Sequence, residues 1–430
     1  MHPSPPVEVD AQALQGELDT LANFSDSPAP SVTRIVFTPT DMAARDYVKQ
    51  LMREAGLTVR EDAAGNIFAR WQGSVDRAVA TGSHCDAIPH AGKYDGTVGV
   101  LGAIAAIRAL RNSGFTPQKS IDVIMFTSEE PTRFGIGCSG SRLMGGAIDP
   151  QTLEALSDAE GVTFAEARHA AGYTGELQTV ELGTDTYDHF VELHIEQGPV
   201  LEHEQTNIGI VSAIAAPASL TIEFNGRGGH AGAVLMRDRQ DALVPAAILV
   251  ETAERLALDS ASDDSVATVG MLDVHPSAVN SIPRKARLSL DIRDTQLEIR
   301  DSIVNHLVEK AQELAAARGL QCEIQHINSD PPVQADAQIM QAIHRAAESE
   351  GLSQLTLVSR AYHDALFIAR KVPTGMIFVP SRDGISHRPD EYTSSAEIGA
   401  GVAVLARTLA DLAGSSARER DSGGDSGGQR

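Results

Sequence analysis

The sequence predicts an α/β fold: a mostly parallel sheet flanked by helices, with a smaller α+β module inserted into it. Three observations carry this expectation. Apolar runs of strand length alternate with amphipathic helical stretches through residues 41–127. The alternation resumes after Pro331-Pro332 and runs to about Ala413. Between about 214 and 331 the order becomes strand, helix, strand, strand, helix, strand, which is ferredoxin-like.

The elements follow in order. Residues 41–56 read as an amphipathic helix and 57–71 as a strand pair about the turn Ala63-Ala64-Gly65-Asn66. An apolar strand near 77–83 leads through a loop to Gly96, then a helix from Val98 to about Arg111, then a strand from Ile121 to Thr127. Strand, loop, helix, strand is the grammar of a parallel pair. Ligands of such sheets bind beyond the carboxyl ends of the strands, where the polar loops 84–96 and 128–140 fall. In the insert, a strand over Ser219–Phe224 precedes the glycine-rich turn Gly226–Gly232 and a helix over 240–257. Strands near 265–273 and 286–293, a helix over 297–318 and a strand near 321–327 complete it. The implied catalytic domain is 1–213 with 332–413, and the inserted domain is 214–331. The tail over 414–430, rich in serine, glycine and charge, reads as disordered.

Composition narrows the function. A chain of 430 residues is too long for one ordinary core, which fits two domains. The formal net charge of −23 argues against nucleic acid or an anionic membrane as partner. No apolar run approaches a membrane span, and Met1–Asp10 lacks the basic start and apolar stretch of a signal peptide. A cytoplasmic location is expected. Cys85, Cys138 and Cys322 are too few and too irregular for a disulfide framework or a thiolate metal site.

Four segments concentrate chemistry. His84-Cys85-Asp86 is followed by Lys93-Tyr94-Asp95-Gly96. Imidazole nitrogen and carboxylate oxygen suit zinc, manganese and similar ions. Asp86 is placed to take the second N–H of His84, and Asp95 can offer one oxygen to each of two metals. Glu129-Glu130 ends the apolar strand at 121–127. Adjacent carboxylates leaving a buried strand repel each other, so a metal on one leaves the other free to take a proton. His194-Ile195-Glu196-Gln197 follows the apolar Phe190–Leu193, and His387 follows the apolar Gly375–Pro380. A lone histidine is more often structural, but four strand ends each delivering His, Asp or Glu point to a site. His90, His203, His275 and His326 read as surface or structural histidines.

These residues resemble the aminoacylase-type dinuclear metallohydrolases, and within them the ureido branch that cleaves ureidoglycolate, allantoate and N-carbamoyl amino acids. The segments that carry the resemblance are T-G-S-H-C-D-A-I-P with G-K-Y-D-G, F-T-S-E-E-P-T-R-F-G, E-L-H-I-E-Q-G-P-V-L-E, G-G-H-A-G and H-D-A-L-F-I-A-R. They span about residues 32–412 in the family's order. The resemblance implies two divalent ions, manganese with zinc as the alternative. His84, Asp95 and His194 would hold one, and Asp95, Glu130 and His387 the other. Glu129 would be the general base and Asp86 would orient His84. The insert would be a lid that also forms a homodimer, with His230 as a transition-state histidine reaching a neighbouring subunit. Asn280 and Arg293 would anchor the substrate's carboxylate, although Arg293 read alone suggests an ion pair with Asp291 or Asp294. Gln197 and His363 would touch the ureido or carboxylate end. Tyr362, where relatives usually carry a small residue, points to ureidoglycolate, a small ureido substrate with a carboxylate, with allantoate or an N-carbamoyl amino acid as the alternative; read alone, the tyrosine equally fits packing against the lid. Glyoxylate, ammonia and carbon dioxide are then the expected products.

Overall fold

The structure is a computed structural model and describes residues 7–414. The tail expected to be disordered lies, apart from Gly414, outside the described residues. The chain forms two compact units. One takes in the residues up to Ser212, Ala335–Leu357 and those from His363; the other is Ala213–Gln334 with Val358–Tyr362.

The strands of the first part of the chain are β1 (Thr58–Glu61), β2 (Ile67–Trp71), β3 (Val75–His84), β4 (Lys119–Phe126), β5 (His189–Ile195) and β6 (Ile208–Ile214). The insert contributes β7 (Ala216–Asn225), β8 (Val266–His275), β9 (Lys285–Asp294) and β10 (Gln321–Ser329), and the chain returns with β11 (Gln354–Ser359) and β12 (Thr374–Val379). In the large sheet the order is β6-β12-β5-β3-β4-β2-β1, with β11 also paired to β6. The four central strands β12, β5, β3 and β4 are parallel, and β6 and β2 run antiparallel on either side. Their carboxyl ends therefore share one edge. These strands are buried along nearly their whole length, which explains unbroken apolar runs instead of alternation.

The helix Thr97–Asn112 is buried almost all round, as its run of Val, Leu, Ile and Ala requires. The helix Pro39–Glu54 starts on a Thr38 cap with proline in the first turn. Its Arg45 is fully buried and pairs with Asp41 at 2.8 Å. The same guanidinium donates to Gly65 O at 2.7 Å and reaches Thr127 Oγ1 at 3.4 Å. The Asn66 side chain accepts from the Thr127 N–H at 2.9 Å. Arg45 and Asn66 thus fix the chain where β4 gives way to Glu129 and Glu130.

In the second unit β7, β8, β9 and β10 form an antiparallel sheet in the order β8-β9-β7-β10. Burial alternates along β9, the period expected of a sheet with one covered face. Leu220, Ile222, Leu288, Leu290 and Ile292 meet Leu249, Leu307 and Leu314 from the helices Leu243–Leu258 and Leu297–Arg318. One expectation is corrected: residues 332–413 do not all belong to the larger unit. Val358–Tyr362 joins the second unit because its partners lie there. Ser359 O accepts from Ala215 N–H at 2.8 Å, Arg360 pairs with Asp264 at 2.6 Å, and Tyr362 donates to Asp330 at 2.9 Å. The loop 84–96 also holds a short strand, Ala87–Ala91, paired with Val32–Arg34.

Removing one partner of a buried ion pair leaves an uncompensated charge. Asp41→Ala should therefore lower unfolding stability by about 3–5 kcal/mol, read from the shift in the urea transition.

Candidate metal centre

The four parallel strands deliver the predicted ligands to one place. His84 closes β3, His194 lies near the end of β5, and Glu130 and His387 sit on the loops after β4 and β12. His84, Asp95 and His194 bring one ligand atom each within 4.8 Å of one another, and so do Asp95, Glu130 and His387. Asp95 belongs to both groups. Its Oδ1 is 3.1 Å from His194 Nε2 and 3.6 Å from His84 Nε2, while Oδ2 is 3.0 Å from His387 Nε2. His387 Nε2 is 3.4 Å from Glu130 Oε1. One carboxylate thus faces each cluster with a different oxygen.

The tautomers follow from the partners of the other ring nitrogens. His84 Nδ1 is 3.1 Å from Asp86 O, and His194 Nδ1 is 2.9 Å from Ile195 O. A carbonyl can only accept, so Nδ1 carries a proton in both rings and Nε2 is the nitrogen turned toward Asp95. Gly96 N–H lies 3.1 Å from the same nitrogen of His194. Gly96 itself has φ 65°, and a Cβ there would lie 2.4 Å from His84 Nε2. Only glycine fits both demands.

Asp86 meets His84 Nδ1 with two of its atoms, the main-chain carbonyl at 3.1 Å and the carboxylate at 3.6 Å. The carboxylate accepts from the N–H of Glu129 at 3.2 Å and of Glu130 at 2.9 Å. It therefore positions the acidic pair, because a charged acceptor holds two exposed main-chain donors in one geometry. Glu130 enters a ligand cluster. Glu129 enters neither: its Oε2 is 3.7 Å from His84 Nε2 and its Oε1 accepts from Cys138 Sγ at 3.3 Å.

Burial pushes Glu129 above the ordinary carboxylate range, against the pull of His84 and with Asp95 and Asp86 adding to it. Burial and the neighbouring Glu129 drive Glu130 well above its usual value. Asp95 goes the other way: burial opposes its charge, but hydrogen bonds from His194, His387 and His84 hold it well below. The donor set of imidazole nitrogens and carboxylate oxygens, buried except at His387, fits hard or borderline divalent cations. Backbone strain gathers at the same place. Ser128, Cys138, Gln197 and His387 all have φ between 56° and 59°, a conformation costing about 1–3 kcal/mol at a non-glycine residue.

The remaining predicted residues divide between the units. Gln197 lies in the first, its Nε2 donating to Asp95 Oδ2 at 2.9 Å. His363 is also there, buried, its ring centroid 4.5 Å from that of His194. His230, Asn280, Arg293 and Tyr362 lie in the second unit. His230 and Asn280 are exposed and adjacent, because Gly229–His230 pairs with Ser281–Ile282. Arg293 donates to Asp291 at 2.7 Å and to Arg360 O at 2.7 Å, so the ion pair that its own sequence suggests is present. Tyr362 donates to Asp330 and accepts from Asn328. His90, His203, His275 and His326 are exposed. Glu391, Ser386, Glu192 and Asp364 also lie at the site, and no local pattern in the sequence marks them.

Fold and site define an α/β protein with two ligand clusters that share a carboxylate. The signature of peptidase family M20/M25/M40 matches residues 80–411, and the chain belongs to that family. It is 51% identical over 416 residues to ureidoglycolate hydrolase of Oryza sativa subsp. japonica, covering 95% of this chain and 86% of the relative. Solved structures of AtUAH, one with glyoxylate and one with (S)-hydroxyglycine, are each 50% identical with a TM-score of 0.84, covering 95% of this chain and 98% of theirs.

The two central carboxylates should fail differently. Asp95→Ala removes the shared ligand and should lose at least one ion per chain by elemental analysis. Glu129→Gln should retain both ions and the fold while kcat falls by about 10²–10⁴, the range for a lost general acid–base. Full metal content in the first variant, or near wild-type turnover in the second, would reverse these assignments.

Proposed function

We propose that this chain hydrolyses the ureido C–N bond of ureidoglycolate, giving glyoxylate, ammonia and carbon dioxide. The observation that carries the reading is the split between adjacent carboxylates, with Glu130 buried inside a ligand cluster and Glu129 half-buried just outside both. The choice of substrate is supported by likeness to ureidoglycolate hydrolase and by relatives solved with glyoxylate and (S)-hydroxyglycine.

His84, Asp95 and His194 hold one divalent ion in this reading, and Asp95, Glu130 and His387 hold a second, manganese before zinc. When bound, the ions supply positive charge that acidifies water and polarises a carbonyl oxygen. Glu129 takes the proton of the attacking water and passes it to the leaving nitrogen, a role that its raised proton affinity suits. Gln197 Oε1 is buried and has no partner among the described residues, so it can accept from a ureido N–H. His363 stands beside His194 to meet the same end of the substrate.

The insert is read as a lid and dimerisation domain. Its exposed Met236, Leu258, Met271 and Val279 support a covered surface there. His230 then stabilises the developing oxyanion in a neighbouring subunit, and Asn280 and Arg293 hold the carboxylate. Arginine suits that task through its planar fork, though Arg293 must exchange Asp291 for the substrate. Tyr362 reads the substrate hydroxyl in this scheme.

The direct test is ammonia release from ureidoglycolate, allantoate and N-carbamoyl amino acids with manganese or zinc supplied. The highest kcat/KM should be for ureidoglycolate with manganese; a preference for allantoate overturns the substrate. Mixed dimers of His230→Ala and Glu129→Gln chains, formed by dissociation and reassembly, should regain part of the activity that each parent lacks. No recovery in verified mixed dimers means that His230 serves its own subunit or another role.

A further inference from the structure

Glu391 has no part in the chemistry described so far, yet it joins two of the three loops that form the second cluster. Its side chain is buried, with 5% exposure. One oxygen, Oε1, accepts from the main-chain N–H of Tyr94 at 2.8 Å and of Asp95 at 3.1 Å. The other, Oε2, accepts from the Ser386 hydroxyl at 2.8 Å. The first pair of bonds fixes the residue that bears the shared carboxylate. The second fixes the immediate neighbour of His387.

The fit is built into the opposite loop as well. A Cβ on Gly92 would lie 2.4 Å from both Cβ and Oε1 of Glu391, so glycine makes the space that the carboxylate fills. A Glu391 N–H to Arg388 O bond at 3.1 Å turns the chain back so that the side chain reaches inward.

The connection is specific to one side of Asp95. Ser386 Oγ lies 3.3 Å from Asp95 Oδ2, the oxygen that faces His387, and Gln197 Nε2 bonds that same oxygen. Oδ1, which faces His84 and His194, receives neither contact. The two clusters also differ in how their histidines are supported. His84 and His194 lie on buried strands and have their own main-chain carbonyl partners. His387 lies in a loop, is exposed, and has φ 59°, a conformation that its surroundings must hold.

We propose that Glu391, acting through Ser386 and the Tyr94-Asp95 main chain, is the positioning residue for the ion held by Asp95, Glu130 and His387, and not for the ion held by Asp95, His84 and His194. This rests on the metal-centre reading above. It predicts that the two ions have separable affinities and that Glu391 tunes one of them. In Glu391→Gln the amide nitrogen faces Ser386 and donates to it. The Ser386 hydroxyl proton is then released toward Asp95 Oδ2, where it competes with the ion.

Calorimetric titration of metal-free protein with Mn²⁺ tests this without using activity. Wild-type chain should bind two ions. Glu391→Gln should weaken one by at least about tenfold, within the 10–100-fold typical of a lost outer partner of a metal ligand. The other ion should stay within about threefold, and the melting temperature of metal-free protein should not change. Ser386→Ala should weaken the same ion, and the double variant should lose less than the two single losses combined. Both affinities unchanged in Glu391→Gln overturn the proposal, and so does equal weakening of both with a fall in melting temperature. Should Glu391→Gln not fold, Ser386→Ala decides, and wild-type affinity there is the negative result. A wild-type chain that binds no Mn²⁺ overturns the metal-centre reading and this proposal with it.

Discussion

The site depends on four neighbouring parallel strands ending at one edge. Parallel strands that lie side by side bring the loops after them to the same place, whatever their separation in sequence. His84, Glu130, His194 and His387 are spread over some three hundred residues of chain and still meet, because β3, β4, β5 and β12 are adjacent and parallel. The apolar content of these strands places them between buried layers. The polar residues at their ends then have nowhere to go except the shared edge.

That edge concentrates charge, which fixed hydrogen bonds hold in place. Asp86 takes the two N–H groups of the acidic pair, Glu391 takes those of Tyr94 and Asp95, and main-chain carbonyls hold two imidazoles. A further layer lies among the buried acids. Glu192 accepts from Ser83 Oγ at 2.7 Å and from Ala365 N–H at 2.9 Å, and Asp364 accepts from Ser141 Oγ at 2.5 Å. Burial lifts both acids above their ordinary range, with the neighbouring Glu192 adding to the effect on Asp364. Charge-assisted hydrogen bonds of this kind hold ligand geometry more tightly than packing alone. The positive-φ residues around the site are the cost of that geometry.

Much of this was legible in the sequence because it is periodic or local. Strand length, apolar runs and the acids just after them give β3, β4 and the ligand-bearing loops. The change of texture near residue 214 gives the insert. What escaped depends on contacts between distant segments. Nothing near Glu391 says that its partner is the main chain at Tyr94 and Asp95, and nothing near Val358 says that it packs with residues of the insert. Asp86 shows the limit of a local reading: its carboxylate lies near His84 as its position suggests, but its carbonyl is nearer and the same carboxylate also reaches Glu129 and Glu130. A residue type can be read from sequence, but which of its oxygens is used depends on where the next loop comes down.

Every candidate ligand and the candidate base lie in one compact unit, and most of the candidate carboxylate-anchoring and hydroxyl-reading residues lie in the other. This partition has a physical logic. Ion binding requires ligands held to within a few tenths of an ångström, which strand ends and their hydrogen-bonded loops provide. Substrate selection requires polar groups that match one small molecule and reject its neighbours, and such groups can change without disturbing the ions. Tyr362 and Arg293 are the candidates for the second kind. Both already have partners within their own unit, Asp330 with Asn328 for the tyrosine and Asp291 for the arginine. Any substrate that they recognise must match or replace those partners. If the substrate is read at these positions as proposed, selectivity is an exchange of hydrogen bonds, in which a ligand lacking the right group leaves a polar side chain with its old partner and gains nothing.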